Sequence, residues 1–292
     1  MEEATPKVSI IIPHYNQVEC LKRLLPSIAN QTFQNYEVII IDDFTPDRSA
    51  PVYIRSLIKD YPKTRLVENT ENMRFVRTCN KGIELARGDY VCLLNQDTEV
   101  VNNFVQRNIE IMDADPSIGA LSCIVVDRNG NNWFSGGSFK SGLNVNLVDD
   151  FQGVRTVDWV AGTACFYRRD VFNKVGLLDE DFFMYHEDIE FCLRVRRRTN
   201  YQVCMFHEKL VTHYLDSNPD KLNRMLYYTH RNHILLLKKY ARRYLPKVVF
   251  LNLREFIIYM GSYILKRNRH ALSIAIPRAK GTLAGLIKIR VK

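Results

Sequence analysis

The run Tyr90–Leu94 is five apolar residues followed at once by Asn95, Gln96 and Asp97. An uninterrupted apolar run of this length reads as a strand buried on both faces. Side chains just past the carboxyl end of such a strand lie where open α/β sheets take their ligands. Taken alone, Asn and Asp at that place serve a turn equally well. Two other runs end in the same manner: Val8–Ile12 leads into Pro13, His14, Tyr15 and Asn16, and Glu37–Ile41 leads into Asp42 and Asp43. In a parallel sheet the three ends gather along one edge, and independent turns give no reason for carboxylates at two ends of three. The chemistry on offer is that of acids facing a crevice. Asp42 or Asp43 can accept from ribose hydroxyls or a base N–H, and Asp97 can bind Mg²⁺ or Mn²⁺ bridging phosphate oxygens. No G-x-G-x-x-G follows the first strand and no P-loop is present, which excludes a dinucleotide crevice.

A second acid-rich stretch lies at Leu177–Arg198, after an apolar run, Val157–Tyr167, that Gly162 breaks. Its Glu187 and Asp188 fall where a helix should begin, and the macrodipole favours acids there whatever their use. Phe182, Phe183 and Tyr185 just ahead suit a partly desolvated base that faces a sugar or another amphipathic ring. His213 is expected to follow a short strand, Gln202–Phe206, and its loop; a lone histidine is more often structural than a ligand.

The elements that must position these groups alternate over the first hundred residues. A helix is expected through Leu21, Leu24, Leu25 and Ile28, opened by an Asn16–Glu19 capping box. Helices are also expected over Val52–Asp60 and Thr78–Ala86, the latter stopped by Gly88, with a strand at Thr64–Glu68. Strands alternating with helices predict an α/β fold with a mostly parallel central sheet.

The chain has 292 residues, 46% apolar and 25% charged, a globular composition that suits one large domain or one domain plus an appendage. The opening MEEATPK does not match a secretory signal peptide. Seven cysteines without C-x-x-C spacing read as reduced core residues of a cytosolic protein. The net charge of +9 is divided unequally: residues 219–292 carry 17 basic and two acidic residues, whereas residues 1–218 carry a net −6. This divides the chain into a catalytic domain over 1–218, with halves at about 1–100 and 101–218, and a basic helical tail over 219–292. Such a tail seeks an anionic surface. Nucleic acid is one candidate, since Tyr227–His233 mixes aromatics with a base. However, Val248–Leu265 places Phe250, Leu253, Ile257 and Ile264 near one helical face, with Arg254 and Glu255 interrupting it. A helix lying on anionic lipid fits that pattern better than a membrane span or a nucleic-acid site.

Six motifs in order resemble family 2 glycosyltransferases of the A-type fold, especially the rhamnosyltransferase-like group of bacterial surface polysaccharide synthesis. They are Val8–Asn16, Glu37–Asp47, Asn69–Val100, Gly136-Gly137, Val157–Phe172 and Leu177–Arg194, within roughly residues 8–215. The resemblance implies one nucleotide-sugar-binding domain, with Pro13, Tyr15, Asp42, Asp43, Asn80 and Asn95 on the nucleotide. It implies Asp97 and His213 as the holders of Mn²⁺ or Mg²⁺, Asp188 as the catalytic base with Glu187 beside it, and Trp159, Gly162 and Thr163 on the acceptor side. It further implies inverting transfer of rhamnose or a hexose from a UDP- or dTDP-sugar to a lipid-linked surface glycan. The place would be the cytoplasmic face of the cell membrane, with no nucleic-acid partner. Two positions depart from the family pattern. Asn95 stands where an Asp is common, and Arg74 where a Gly is usual, which leaves open a protein that binds sugar nucleotide but transfers weakly.

Overall fold

The computed structural model describes residues 5–214 and 219–287. Strand β1 (Val8–His14) is buried along its whole length, as its β-branched run requires, and helix α1 (Val18–Ala29) lays Leu21, Leu24, Leu25 and Ile28 against the core. The expected capping box is not formed. Asn16 adopts a left-handed φ of 66° and spends its N–H on Thr45 Oγ1 at 3.0 Å, while Glu19 pairs with Lys22. Then follow β2 (Tyr36–Asp42), α2 (Ala50–Leu57), β3 (Thr64–Glu68), α3 (Phe75–Leu85) and β4 (Tyr90–Leu94). Both helices lie within two or three residues of their expected bounds, and β3 and β4 match theirs. The strands β3-β2-β1-β4 pair in parallel, so the polar ends of β1, β2 and β4 share one edge.

The second half of the sheet is built from β5 (Thr98–Val100), α4 (Phe104–Ala114), β6 (Ile118–Val126), β7 (Asn132–Phe134), a hairpin β8 (Gly137–Lys140) and β9 (Leu143–Asn146), and β10 (Val154–Thr156). Strand β11 (Ala164–Arg168) and α5 (Arg169–Val175) follow. The expected apolar run from Val157 is a strand only from Ala164; residues 157–163 form an apolar connector, buried at Val157, Val160 and Ala161. β11 enters between β4 and β6 and is antiparallel to both. Its first residue, Ala164, therefore pairs with the last residue of β4, Leu94. Helix α6 (Glu187–Arg198) precedes β12 (Gln202–His213), which runs parallel to β6 and antiparallel to β5. β12 continues through two irregularities beyond Phe206, so His213 is the last residue of a strand and does not follow a loop.

Among the described residues three α-helices follow β12: α7 (Pro219–Tyr240), α8 (Leu245–Lys266) and α9 (Arg269–Ile287). α9 packs closely on α7 because Gly281 and Gly285 lie one turn apart on it. A Cβ at Gly281 would stand 2.2 Å from Tyr227 O, and one at Gly285 2.7 Å from Arg231 O. α8 keeps a different face outward. Phe250, Leu253, Ile257, Ile258, Ile264 and Leu265 are each more than half exposed. The only acid of α8, Glu255, is turned to Arg278 of α9, and Asn252 bonds Thr282.

Candidate active site

Hydrogen bonds join the three strand ends. Gln96 exchanges bonds with the backbone of Tyr15, giving to its O at 3.2 Å and taking its N–H at 3.1 Å, which ties the end of β4 to that of β1. Asp43 N–H donates to His14 O at 2.8 Å and ties β2 to β1. Pro13 and the wholly buried His14 stand behind this edge, while the Tyr15 ring is 41% exposed on it.

The two acids at the end of β2, its last residue Asp42 and the next, Asp43, are buried and already engaged by their own loops. Asp42 accepts from Thr45 Oγ1 and N–H at 2.5 and 3.2 Å, and its carboxylate lies 3.9 Å from His14 Nε2. Asp43 accepts from Asn69 Nδ2, Met73 N–H and Arg74 N–H at 3.0, 2.7 and 2.9 Å. These last two bonds explain how Arg74 can stand where the resemblance leads one to expect a glycine. Arg74 has φ 75° and ψ 165°, a region that is essentially glycine's, and the Asp43 carboxylate holds it there. The guanidinium is carried outward over the Phe183 ring, 5.6 Å from its centroid. Arg74→Gly should therefore stabilise the fold by about 1 kcal/mol, as relief of strain outweighs glycine's entropy loss. A melting temperature unchanged or lowered in that variant would show the turn to be unstrained. Asn80 is buried in α3 and exchanges two 3.0 Å bonds with the backbone of Leu178, so it fixes the approach to the second acid-rich stretch.

Asp97 and His213 are brought together by the antiparallel pairing of β5 and β12. His213 stands opposite Thr98, Tyr214 N–H donates to Asp97 O at 2.8 Å, and His213 Nε2 lies 3.3 Å from the Asp97 carboxylate. Trp133 packs edge-to-face with the His213 ring, centroids 4.6 Å apart, a neighbour with no signal in the sequence. Asn95 keeps a buried Oδ1 without a partner. One carboxylate, one imidazole and one unpartnered amide oxygen at adjoining strand ends are hard-to-borderline donors that suit Mn²⁺ or Mg²⁺. No third His, Cys, Asp or Glu joins them among the described residues, so phosphate oxygens and water would complete such a shell.

Asp188 lies in the first turn of α6 and accepts from Gly162 N–H at 3.0 Å and its neighbour Ile189 N–H at 2.8 Å. The next residue of the connector, Thr163, accepts from Asn95 N–H at 2.9 Å. A bridge of two residues thus spans from the Asp188 carboxylate to the loop that bears Asp97. Burial pushes the Asp188 carboxyl up, with the Gly162 and Ile189 N–H groups pulling the other way. Glu187, buried with an unpartnered Oε2, is also pushed up, first by burial and then by the Asp188 charge. Trp159, three residues before Gly162, is buried. Its ring is 5% exposed, packs on Phe134 at 5.0 Å, and fills the space that a Cβ on Gly137 would take.

The turn before α6 holds three non-glycine residues at left-handed φ: Phe183 at 59°, Tyr185 at 64° and His186 at 66°. Asn232 of α7 secures it, its Nδ2 donating to the carbonyls of Phe182, Met184 and Tyr185 at 2.7, 2.8 and 2.6 Å. Arg231 donates to Asp181 O at 2.7 Å. On α6, Glu190 accepts from Tyr240 of α7 at 2.7 Å and from Arg194 at 2.9 Å. The first helix of the basic segment is therefore part of the fold that positions Asp188. Sequence reasoning missed Arg231 and Asn232, because their partners are backbone atoms some fifty positions away.

Known proteins are similar to this chain in sequence and in fold. An amylovoran biosynthesis glycosyltransferase, AmsB, of Erwinia amylovora is 24% identical over 192 residues, 64% of this chain and 62% of that protein. The chain thus spans less than two thirds of that relative's length. The mannosyltransferase PcManGT of Pyrobaculum calidifontis, solved with GDP-Man and Mn²⁺, superposes with a TM-score of 0.64 at 15% identity, over 96% of this chain and 87% of that one. S. aureus TarS 1-349, solved with UDP-GlcNAc, gives 0.63 at 17% identity, over 96% and 81%. At these identities the two structures speak for the fold alone. The sequence pattern described as glycosyl transferase family 2 matches residues 9–176, more than half of the chain. With its fold and its order of motifs, the chain belongs to glycosyl transferase family 2.

Proposed function

We propose that the chain is an inverting glycosyltransferase, rhamnosyltransferase-like, that moves rhamnose or a hexose from a dTDP- or UDP-sugar to a hydroxyl of a growing, lipid-linked surface glycan. The observation that carries this is the Gly162–Thr163 bridge, which joins a desolvated carboxylate to the loop that bears a strand-end acid–imidazole pair. Support for the donor class comes from similar folds solved with GDP-Man and with UDP-GlcNAc, and support for a glycan product from the similarity to AmsB.

Asp188 accepts the proton of the acceptor hydroxyl. The freed oxygen pair forms the new bond to the anomeric carbon, and the bond from that carbon to the diphosphate breaks on the opposite face, which inverts the centre. A single displacement needs one base, and Glu187 beside it, its carboxyl pushed up to about 8 by burial and then by the Asp188 charge, keeps its own proton and leaves Asp188 as that base. Tyr15 offers an open aromatic face to the donor. Asp97 and His213 would hold a divalent cation, Mn²⁺ or Mg²⁺, which when bound neutralises charge on the leaving diphosphate. Purified full-length protein with Mn²⁺ and a panel of UDP-, dTDP- and GDP-sugars should release nucleoside diphosphate from a UDP- or dTDP-sugar. Release from none of them would overturn the transferase.

The enzyme would lie on the cytoplasmic face of the cell membrane. The exposed stripe of α8 includes Lys247 and Arg254 among its apolar residues and no acid, a composition suited to anionic lipid. Each basic residue at the surface adds about 1 kcal/mol, and the apolar stripe about 25 cal/mol per Å² buried. Full-length protein should float with anionic liposomes at low salt and be released by high salt. Phe250→Asp with Ile257→Asp should abolish flotation, both positions being open to solvent and so tolerant of the change. Protein that stays at the bottom of the gradient at low salt has no such surface.

A further inference from the structure

A cavity of about 610 Å³ opens between α7 and α9, within the usual range for a small-molecule site. On α7 its wall is Arg224, Tyr227 and Tyr228, spaced three and four residues apart and so on one face. On α9 the facing residues are Ser273, Ile276, Pro277 and Lys280, again on one face. Pro277 sits inside α9 and has no N–H, so the helix bond to the carbonyl of Ser273 is missing at the wall. The lining holds two cations and no Asp or Glu. Apolar and aromatic walls with cations and without acids match an amphipathic anion.

The cavity adjoins the active site through rings. Tyr228 stacks on Phe183, centroids 4.7 Å apart and planes 22° from parallel, and Arg74 lies over Phe183. Phe183 belongs to the turn that leads into Glu187 and Asp188. The outer side of α9 continues the apolar surface, with Leu283 and Ile287 more than half exposed beside α8.

Resting on the transfer reaction proposed above, we infer that this cavity binds the lipid-phosphate portion of the acceptor. Arg224 and Lys280 take the phosphate oxygens, and Tyr227, Ile276 and Pro277 take the first isoprenoid-like segment of the carrier. The carrier is thereby fixed beside the turn that positions the base, and the glycan it bears can reach Asp188. A site here gives the tail two separable tasks: α8 holds the enzyme at the surface, and the α7–α9 cavity selects the phosphate-bearing chain.

Farnesyl diphosphate, below its micelle concentration, is the probe for calorimetry with full-length protein in EDTA, so that no metal draws the diphosphate to the donor site. It should bind at least tenfold more tightly than farnesol or inorganic diphosphate. Arg224→Ala with Lys280→Ala, both exposed, should cost at least tenfold for farnesyl diphosphate and little for farnesol. Equal binding of inorganic diphosphate would mark a free-phosphate site, equal binding of farnesol an unselective apolar groove, and an unaltered affinity in the double variant a site elsewhere. Each would overturn the inference. UDP and dTDP binding with Mn²⁺, measured in parallel, separates the two levels. Nucleotide binding without farnesyl diphosphate binding sinks only the cavity, whereas absence of nucleotide binding sinks the transferase itself.

Discussion

Asp188→Asn is expected to lower the rate of transfer by about 10²–10⁴-fold, the usual cost of removing a general base, and to leave donor binding near that of the parent protein. The amide keeps the shape of the side chain, and its oxygen can still accept from Gly162 N–H, so the bridge to Thr163 and Asn95 survives. What is lost is the capacity to take the acceptor's proton. Nucleotide affinity and transfer rate should be measured on the same preparation. Near-normal turnover would remove Asp188 from the mechanism, and joint loss of affinity and rate would make it a structural residue.

The pair's elevated proton affinity adds a dependence on pH. Asp188 must be ionised to act, and burial raises its pKa, so the acidic limb of the rate profile should stand above the ordinary carboxylate range. Stability runs the opposite way. A group whose pKa is raised on folding contributes stability that is fully present below its unfolded value, about 4, and is lost as pH rises through the folded value. Burial of both groups, and for Glu187 then the Asp188 charge, makes the ionised Glu187–Asp188 pair costly. Asp188→Asn should therefore gain melting temperature relative to the parent as pH rises from 5 to 8. A gap that narrowed over that range would mean the pair is not destabilising when ionised.

Asp97→Ala should abolish the metal-dependent part of nucleotide binding, a loss of at least about tenfold, or 1.4 kcal/mol. Asp97 supplies the carboxylate at the end of β4, and His213 Nε2, 3.3 Å away, supplies an imidazole nitrogen. His213→Ala should thus weaken binding less, because the carboxylate contributes charge as well as a ligand. Calorimetry of UDP and dTDP with Mn²⁺ and with EDTA reads both effects without turnover. If the intact protein binds nucleotide equally well in EDTA, the metal assignment fails.

The described helices also change how the basic segment is understood. It divides by contact, not by charge. α7 is fastened to the turn before Asp188 through Arg231 and Asn232 and to α6 through Tyr240, whereas α8 presents its apolar stripe to solvent. Net charge could not distinguish these parts, because both are basic. Burial separates them: Arg231 is 1% exposed and Phe250 is 65% exposed.

The sequence by itself determined the parallel half of the sheet and the gathering of polar strand ends along one edge. Those follow from local rules: β-branched apolar runs form strands buried on both faces, and a parallel sheet puts all its carboxyl ends on one side. The helical start at Glu187-Asp188 was legible for a like reason, since helix termini have local signals. Only the tertiary structure decided that β11 runs antiparallel beside β4, which delivers Gly162 and Thr163 to Asn95 and Asp188, and that β12 runs antiparallel to β5, which delivers His213 to Asp97. Strand pairing across seventy to more than a hundred residues leaves no periodic mark in the chain, because a strand's pattern records which faces are buried and not which neighbour it meets or in which direction. The occupation of Asp42 and Asp43 by Thr45, Asn69, Met73 and Arg74 was hidden for the same reason. An acid at a strand end reads alike whether it will face a ligand or hold its own loop, and only the folded neighbours tell the two apart.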